Sequence, residues 1–77
     1  NLMNSNFVVD QAKHLADRAR DDSKGNLKAS IVRSFELILS RKPDMKELNS
    51  SLEIAKDRSL EIVCRVLMNS NEFAFLP

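Results

Sequence analysis

One stretch of this sequence, residues 59–73, is more apolar than any other and constrains the fold most. Leu60, Val63, Cys64 and Leu67 recur at the i, i+3, i+4, i+7 spacing of a single helical face. Three more apolar residues widen that face: Ile62, Val66 and Met68. A helix that is apolar around most of its circumference needs neighbouring helices on several sides. The stretch therefore predicts an all-α fold, a compact bundle of four helices in which this last long helix is central.

The length and composition of the chain agree with one small helical core. The chain has 77 residues with one Gly and two Pro, which is little turn chemistry for a β-sandwich or barrel. We expect a single domain over residues 1–77, and a domain of this size buries only about 60% of its unfolded surface. Because the chain opens on Asn1 and not on Met, we also expect it to be a piece of a longer protein.

The charges and the single cysteine exclude several classes of function. The 12 basic and 11 acidic residues are interspersed, so the sequence lacks the basic face with which a protein grips nucleic acid. One cysteine, Cys64, rules out an internal disulfide and a cysteine-only metal site. No apolar run approaches the roughly 18 residues of a membrane-spanning helix. We therefore predict no nucleic-acid partner, no membrane span in this segment and no cofactor.

The rest of the chain predicts three more helices. We expect them over about residues 6–20, 27–40 and 45–56. A loop at residues 21–25 separates the first two, with Gly25 as the residue that takes positive φ freely. Pro43 disfavours helical conformation at Lys42 and so ends the second helix.

Polar residues that accept hydrogen bonds from free backbone N–H groups mark the helix ends. We predict four caps: Ser5, Asn26, Asp44 and Ser70. Asp44 and Glu47 have the spacing of a capping box. Ser5 and Ser70 hold the same place in a repeated pentapeptide, Leu-Met-Asn-Ser-Asn, which we interpret as one junction used twice. The fourth helix begins at either Asp57 or Ser59.

Apolar spacing assigns an inner face to each of these helices. The first helix should bury Val8, Ala12, Leu15, Ala16 and Ala19, with Phe7 as a large anchor at its start. The second should bury Leu27, Ile31, Phe35, Ile38 and Leu39. The third should bury Met45, Leu48, Leu52 and Ala55.

Three segments of the chain resemble a known family. Residues 26–48, NLKASIVRSFELILSRKPDMKEL, resemble the pattern DPxxRIxRAYxLxLGRxPTxEEL. Residues 64–73, CRVLMNSNEF, resemble CQALLNSNEF, and residues 2–16, LMNSNFVVDQAKHLA, resemble LMNSxFVxEQAxxLA. All three patterns occur in this order near the C-terminal end of a family of unknown function from planctomycete-type bacteria. That family accompanies planctomycete cytochrome c domains.

The resemblance implies that the chain is the C-terminal part of a large extracytoplasmic protein, in the periplasm or at the cell surface. It carries over no catalytic residue. The chain departs from the family pattern at Phe35 and Ser40, where the pattern has tyrosine and glycine. The change at Ser40 bears on how the second helix ends.

The candidate reactive residues have structural interpretations that we favour. Cys64 lies on the inner face of the last helix, whereas a reactive thiolate needs exposure and nearby positive charge. We therefore interpret it as a buried thiol that packs as a small hydrophobic side chain. His14 is the only histidine, and no nucleophile stands beside it, so we interpret it as a solvated helix residue.

Arg41 and Glu72 stand out because the family pattern has an arginine and an acid at these places. We predict that Arg41 binds Glu72, or the carbonyls that end a helix, and so ties the turn between the second and third helices to the C-terminal segment. The tie is structural and not catalytic. The remaining glutamates read as solvated helix faces: Glu36, Glu47, Glu53 and Glu61.

These observations predict a non-enzymatic structural or protein-interaction module. Its partners would be the rest of a longer chain, another protein or a second copy of itself, and apolar residues near the end, Phe73, Phe75 and Leu76, offer a contact surface. The alternative is an accessory helical part of a larger redox-linked or polymer-degrading enzyme. In that case Arg41 or Glu72 would face a site formed with upstream domains.

Overall fold

The computed structural model describes residues 6–70 and Glu72. Within this part the chain forms four α-helices and no strand. The helices are α1 (Asn6–Asp22), α2 (Leu27–Leu39), α3 (Met45–Asp57) and α4 (Leu60–Met68). The predicted all-α class is confirmed. The predicted cap Ser5 and the apolar residues Phe73, Phe75 and Leu76 lie outside the described residues.

The centre of the bundle is shared by two helices. α4 contacts α1, α2 and α3, as its apolar circumference predicts. α2 also contacts the other three helices, whereas α1 and α3 make no contact with each other in the described part of the chain. α4 spans only nine residues and is the shortest of the four, so its central position follows from its apolar surface and not from its length.

One hydrophobic cluster joins all four helices. The contribution of α1 is small in volume, because three of its buried residues are alanines with no exposed surface: Ala12, Ala16 and Ala19. A methyl side chain lets the α1 backbone approach its neighbours closely. The larger side chains of the cluster come mainly from α2 and α4: Ile31, Phe35, Ile38, Leu60, Val63, Leu67 and Met68.

Two buried serines of α2 also belong to the core, and the apolar pattern does not identify them. Ser30 is 1% exposed and Ser34 is fully buried. Each hydroxyl donates to the carbonyl four residues earlier, Ser30 to Asn26 at 2.7 Å and Ser34 to Ser30 at 2.8 Å. Because the helix itself satisfies these hydroxyls, they can be buried without a desolvation penalty.

The first loop is shorter than the sequence predicts. α1 continues through Asp22, two residues beyond the predicted end at Arg20. The Asp22 carboxylate accepts a hydrogen bond from Arg33 of α2 at 2.8 Å. This bond offsets the unfavourable interaction of an acidic residue with the negative end of the helix dipole. Gly25 N–H then donates to Arg20 C=O at 2.9 Å, and both Lys24 and Gly25 have positive φ, 54° and 81°. Gly25 is therefore not alone in the left-handed region.

The other predicted helix starts are found with their caps. The Asn26 side chain accepts from Ala29 N–H at 2.8 Å, and Ser59 accepts from Ile62 N–H at 3.2 Å, which decides the start of α4. Asp44 accepts from Glu47 N–H at 2.7 Å while Glu47 accepts from Asp44 N–H at 2.9 Å, so the capping box is complete.

Three apolar residues predicted to pack inward are exposed instead: Phe7 at 67%, Met45 at 70% and Val66 at 45%. Phe7 and Met45 lie in the first turns of α1 and α3. Side chains on a helix tilt toward its N-terminus, so residues in the first turn project beyond the end of the helix and away from the core. Val66 lies on the one side of α4 that the other helices leave open.

Ser40 ends α2 in the left-handed conformation, with φ 60° and ψ 29°, and its N–H donates to Glu36 C=O at 3.1 Å. This is the position at which the resembling family has glycine. A residue with a Cβ is strained in this conformation, whereas glycine is not. Ser40 therefore ends α2 in a conformation that glycine would adopt at a lower energetic cost.

We expect Ser40→Gly to raise the free energy of unfolding by about 0.5–1 kcal/mol, because it removes the left-handed strain at an exposed position. Urea denaturation followed by circular dichroism measures the change. Ser40→Ala is the matched control, since alanine keeps the Cβ and is expected to give no gain. Equal stabilities of the glycine and alanine variants would contradict the assigned conformation.

Candidate functional site

Arg41 follows the end of α2 and forms a two-point contact with Glu72. Its Nε donates to Glu72 Oε2 at 2.8 Å and its Nη2 donates to Glu72 Oε1 at 2.6 Å. The predicted contact between Arg41 and Glu72 is therefore present. It joins residues 31 positions apart in the sequence, in the side-on geometry that matches the planar guanidinium to a carboxylate.

A second carboxylate, Glu47, completes the cluster. Arg41 Nη1 donates to Glu47 Oε1 at 2.9 Å and Nη2 donates to Glu47 Oε2 at 2.8 Å. Nη1 also donates to the Lys42 carbonyl at 3.1 Å. The guanidinium lies 5.7 Å from the centre of the Phe35 ring, within the range of a cation–π contact. We call Arg41, Glu47 and Glu72 the Arg41 clamp.

The clamp uses the whole hydrogen-bonding capacity of Arg41. A guanidinium has five N–H donors and no acceptor. The two bonds to Glu72, the two to Glu47 and the one to Lys42 account for all of them. No donor of this arginine is left to bind a substrate.

Glu47 was predicted to be a solvated residue of a helix face, and this was wrong. The capping box holds its carboxylate at the start of α3, where Glu47 Oε1 accepts from both Asp44 N–H and Arg41 Nη1. The sequence contains a signal for this contact, because Glu47 lies only six residues after Arg41, across the same turn between α2 and α3. The capping box predicts the hydrogen bond from Asp44 N–H to Glu47, but it does not predict the second partner, Arg41.

The charges of the clamp reinforce one another. The hydrogen bonds from Arg41, and then the one from the Asp44 backbone, lower the pKa of Glu47 from the ordinary 4.5 to about 2. Hydrogen bonding to Arg41 also lowers the pKa of Glu72, and the two carboxylates raise the pKa of Arg41. All three groups are therefore ionised near neutral pH, and each pKa is shifted away from the near-neutral value that suits a general acid or base.

The clamp should make the stability of the fold sensitive to acid. A carboxylate with a lowered pKa stabilises the folded state above its unfolded pKa and loses that contribution as pH falls toward its folded pKa. We expect the melting temperature to fall as pH drops from about 4.5, the ordinary glutamate value, to about 2, the folded value for Glu47.

Arg41→Gln tests this expectation. Without the guanidinium, Glu72 loses the partner that lowers its pKa and Glu47 keeps only the hydrogen bond from Asp44 N–H, so the melting temperature should fall less over the same pH range. Arg18→Gln, which removes an exposed arginine outside the clamp, should keep the full pH dependence. Melting curves by circular dichroism between pH 2 and pH 7 measure both. The same pH dependence in the Arg41 and Arg18 variants would contradict the role of the clamp.

An apolar groove of about 340 Å³ lies beside the clamp, between α2, α3 and α4. Its apolar lining is Phe35, Leu39, Ile54, Val66 and Leu67, and we call it the α3/α4 groove. Glu47 and Glu72 of the clamp stand at its edge with Lys46. A larger depression, about 460 Å³, lies between α1 and α2 beside Asp22 and Arg33, which pair with each other.

The remaining predicted residues have structural surroundings. Cys64 is fully buried, burial raises the pKa of its thiol, and its Sγ donates to Ser34 Oγ at 3.6 Å. His14 lies on the exposed side of α1. The Ser70 hydroxyl donates to Leu67 C=O at 2.7 Å; the turn that Ser70 was predicted to begin extends into residues outside the described part.

The described residues contain neither a metal-binding cluster nor a membrane-spanning helix. No group of three or more His, Cys, Asp or Glu side chains among them is placed to hold a metal ion. None of the helices in this part combines the length and the hydropathy needed to cross a membrane. Among known proteins, the chain matches no protein-family model, no curated protein and no solved structure.

Proposed function

We propose that the chain is a non-enzymatic helical module that contacts another protein segment, either of a longer parent chain or of a separate protein. The observation that carries this proposal is the Arg41 clamp. Arg41 makes more side-chain hydrogen bonds than any other described residue, and four of its five donors join the end of α2 to Glu47 of α3 and to Glu72. These hydrogen bonds hold the helices in place, which supports a structural role over a catalytic one.

The clamp supports a binding role because it stabilises the helices around the α3/α4 groove. Arg41 touches Phe35, and Glu47 and Glu72 stand at the edge of the α3/α4 groove. The clamp thus fixes the helices that form an open apolar groove on the bundle, with Val66 45% exposed within it. Exposed apolar surface of this kind is typical of protein contacts.

We further propose that the parent is an extracytoplasmic bacterial protein of the planctomycete cytochrome-c-associated type. The support is the order and spacing of three motif-like segments, at residues 2–16, 26–48 and 64–73. The left-handed φ of Ser40, where the pattern has glycine, adds to it, because that position has the backbone geometry for which glycine is favoured. An accessory role in a larger enzyme would require Arg41 or Glu72 to reach a substrate, and their mutual pairing opposes this.

Photo-crosslinking in the native cells tests the contact. Val66→benzoylphenylalanine places the photoreactive group in the α3/α4 groove, and Lys13→benzoylphenylalanine places it on the exposed side of α1. We expect a discrete adduct, to another protein or to an upstream part of the same chain, from position 66 and not from position 13. Adducts at neither position, or equally at both, would contradict the proposal.

A further inference from the structure

Two arginines that lie together have no acidic partner among the residues that the structure describes. The chain has six arginines by sequence. Arg18, Arg20, Arg33 and Arg41 form ion pairs, whereas Arg58 and Arg65 form none within the described part of the chain. Glu61 precedes Arg65 by one helical turn, at a spacing that permits an ion pair, and still does not pair with it.

Arg58 and Arg65 flank apolar side chains. They line a shallow depression of about 210 Å³ together with Ile62 and Val66. Ile62, Arg65 and Val66 have the i, i+3, i+4 spacing of one face of α4, and Arg58, which caps the end of α3, adjoins that face. On this side of α4, the side chains of Ile62 and Val66 form an aliphatic strip beside the guanidinium groups of Arg58 and Arg65.

The strip continues into the α3/α4 groove, because Val66 lines both depressions. The charges along this continuous surface are unequal. Both carboxylates at the groove, Glu47 and Glu72, are held by Arg41. The charged side chains that line the surface and form no ion pair with another described residue are all basic: Lys46, Arg58 and Arg65.

We propose that this surface, formed by Val66, Ile62, the α3/α4 groove and the two unpaired arginines, binds an acidic amphipathic segment of a partner protein. The inference rests on the proposed function and names the chemistry of its partner. The apolar residues of the segment enter the groove, in the manner of an amphipathic helix in a hydrophobic groove. Its carboxylates pair with Arg58 and Arg65, whose planar forks suit bidentate binding. The charge complementarity selects the partner.

Defined peptides test the proposal. The probe is a fluorescein-labelled helical peptide with leucines at i, i+3, i+4 and i+7 and glutamates on both flanks. The matched peptide has glutamine in place of every glutamate. We expect the acidic peptide to bind the intact chain at least about tenfold more tightly than the glutamine peptide in fluorescence anisotropy, with the preference weakening at high salt.

The double variant Arg58→Gln/Arg65→Gln should lose this preference and bind the acidic peptide about tenfold more weakly. Lys13→Gln/Lys28→Gln removes the same charge from exposed positions of α1 and α2 and should bind it as the unsubstituted chain does. Amide shifts in ¹H–¹⁵N spectra should centre on Ile54, Ile62 and Val66. Unchanged melting curves show that the variants are folded.

Several results would overturn the proposal. They are equal affinity for both peptides, equal weakening in the two double variants, or shifts confined to α1. Self-association that Val66→Glu abolishes would assign the surface to a second copy, and binding seen only after removal of residues 73–77 would assign it to the chain's own end. A crosslink from position 66 without a preference for the acidic peptide would refute this inference alone, whereas the absence of that crosslink would refute the interaction module.

Discussion

Phe35→Ala is expected to lower the free energy of unfolding by about 3–5 kcal/mol, the range for removing a buried aromatic ring. Phe35 is 2% exposed in the core between α2 and its neighbours. Truncation leaves a cavity in the cluster and removes the ring beneath the Arg41 guanidinium. Small domains have a total stability of only about 0.05–0.15 kcal/mol per residue, so this loss takes up much of it.

Urea denaturation followed by circular dichroism measures the loss. Phe35→Leu is the matched control, because leucine fills most of the volume and keeps the site apolar, so it should lose markedly less than the alanine variant. The alanine variant should also widen the α3/α4 groove, which Phe35 lines. An alanine variant as stable as the unsubstituted chain would mean that the ring does not fill the core.

Ala16→Leu is expected to destabilise the fold by about 1–3 kcal/mol through overpacking. Ala16 has no exposed surface and lies on the inner face of α1, which packs against α2 and α4. The close approach of α1 depends on methyl-sized side chains, so a leucine must push the helix outward or take a strained rotamer.

Lys13→Leu is the control for Ala16→Leu. It introduces the same side chain at an exposed position of α1, three residues away, and is expected to change the stability by no more than about 0.5 kcal/mol. Both variants are measured by thermal and urea unfolding. If leucine at position 16 were tolerated as well as at position 13, α1 would not pack as closely as the structure shows.

Only part of the Arg41 clamp could be predicted from the sequence. The pairing of Arg41 with Glu72 was predicted because a family pattern marks both positions, not because of their spacing. Glu47 was assigned to a capping box and given no other partner. The capping box shows from which backbone N–H group the Glu47 carboxylate accepts a hydrogen bond. It does not show what else that carboxylate binds, because this depends on the position of Arg41 across the turn.

The exposure of Val66 and the burial of two serines also could not be predicted from the sequence pattern. Val66 repeats the apolar spacing of α4 as well as any core residue does, yet it is 45% exposed. Ser30 and Ser34 are polar by type and are buried because their own helix satisfies their hydroxyls. A sequence pattern counts apolar side chains around a helix, but it does not show on which sides neighbouring helices arrive.

The all-α class, the four helices, the caps at Asn26 and Asp44, and the contact of α4 with every other helix could all be predicted from the order of residues. These depend on local periodicity and on hydrogen bonds between residues a turn apart, which the order of residues encodes directly. Three features come from the packing of the helices: α2 shares the centre, Arg41 donates four of its five N–H groups to two carboxylates, and one face of α4 stays open beside Arg58 and Arg65. Those features depend on where distant segments meet, because a side chain's burial and partners are set by the helices packed against it.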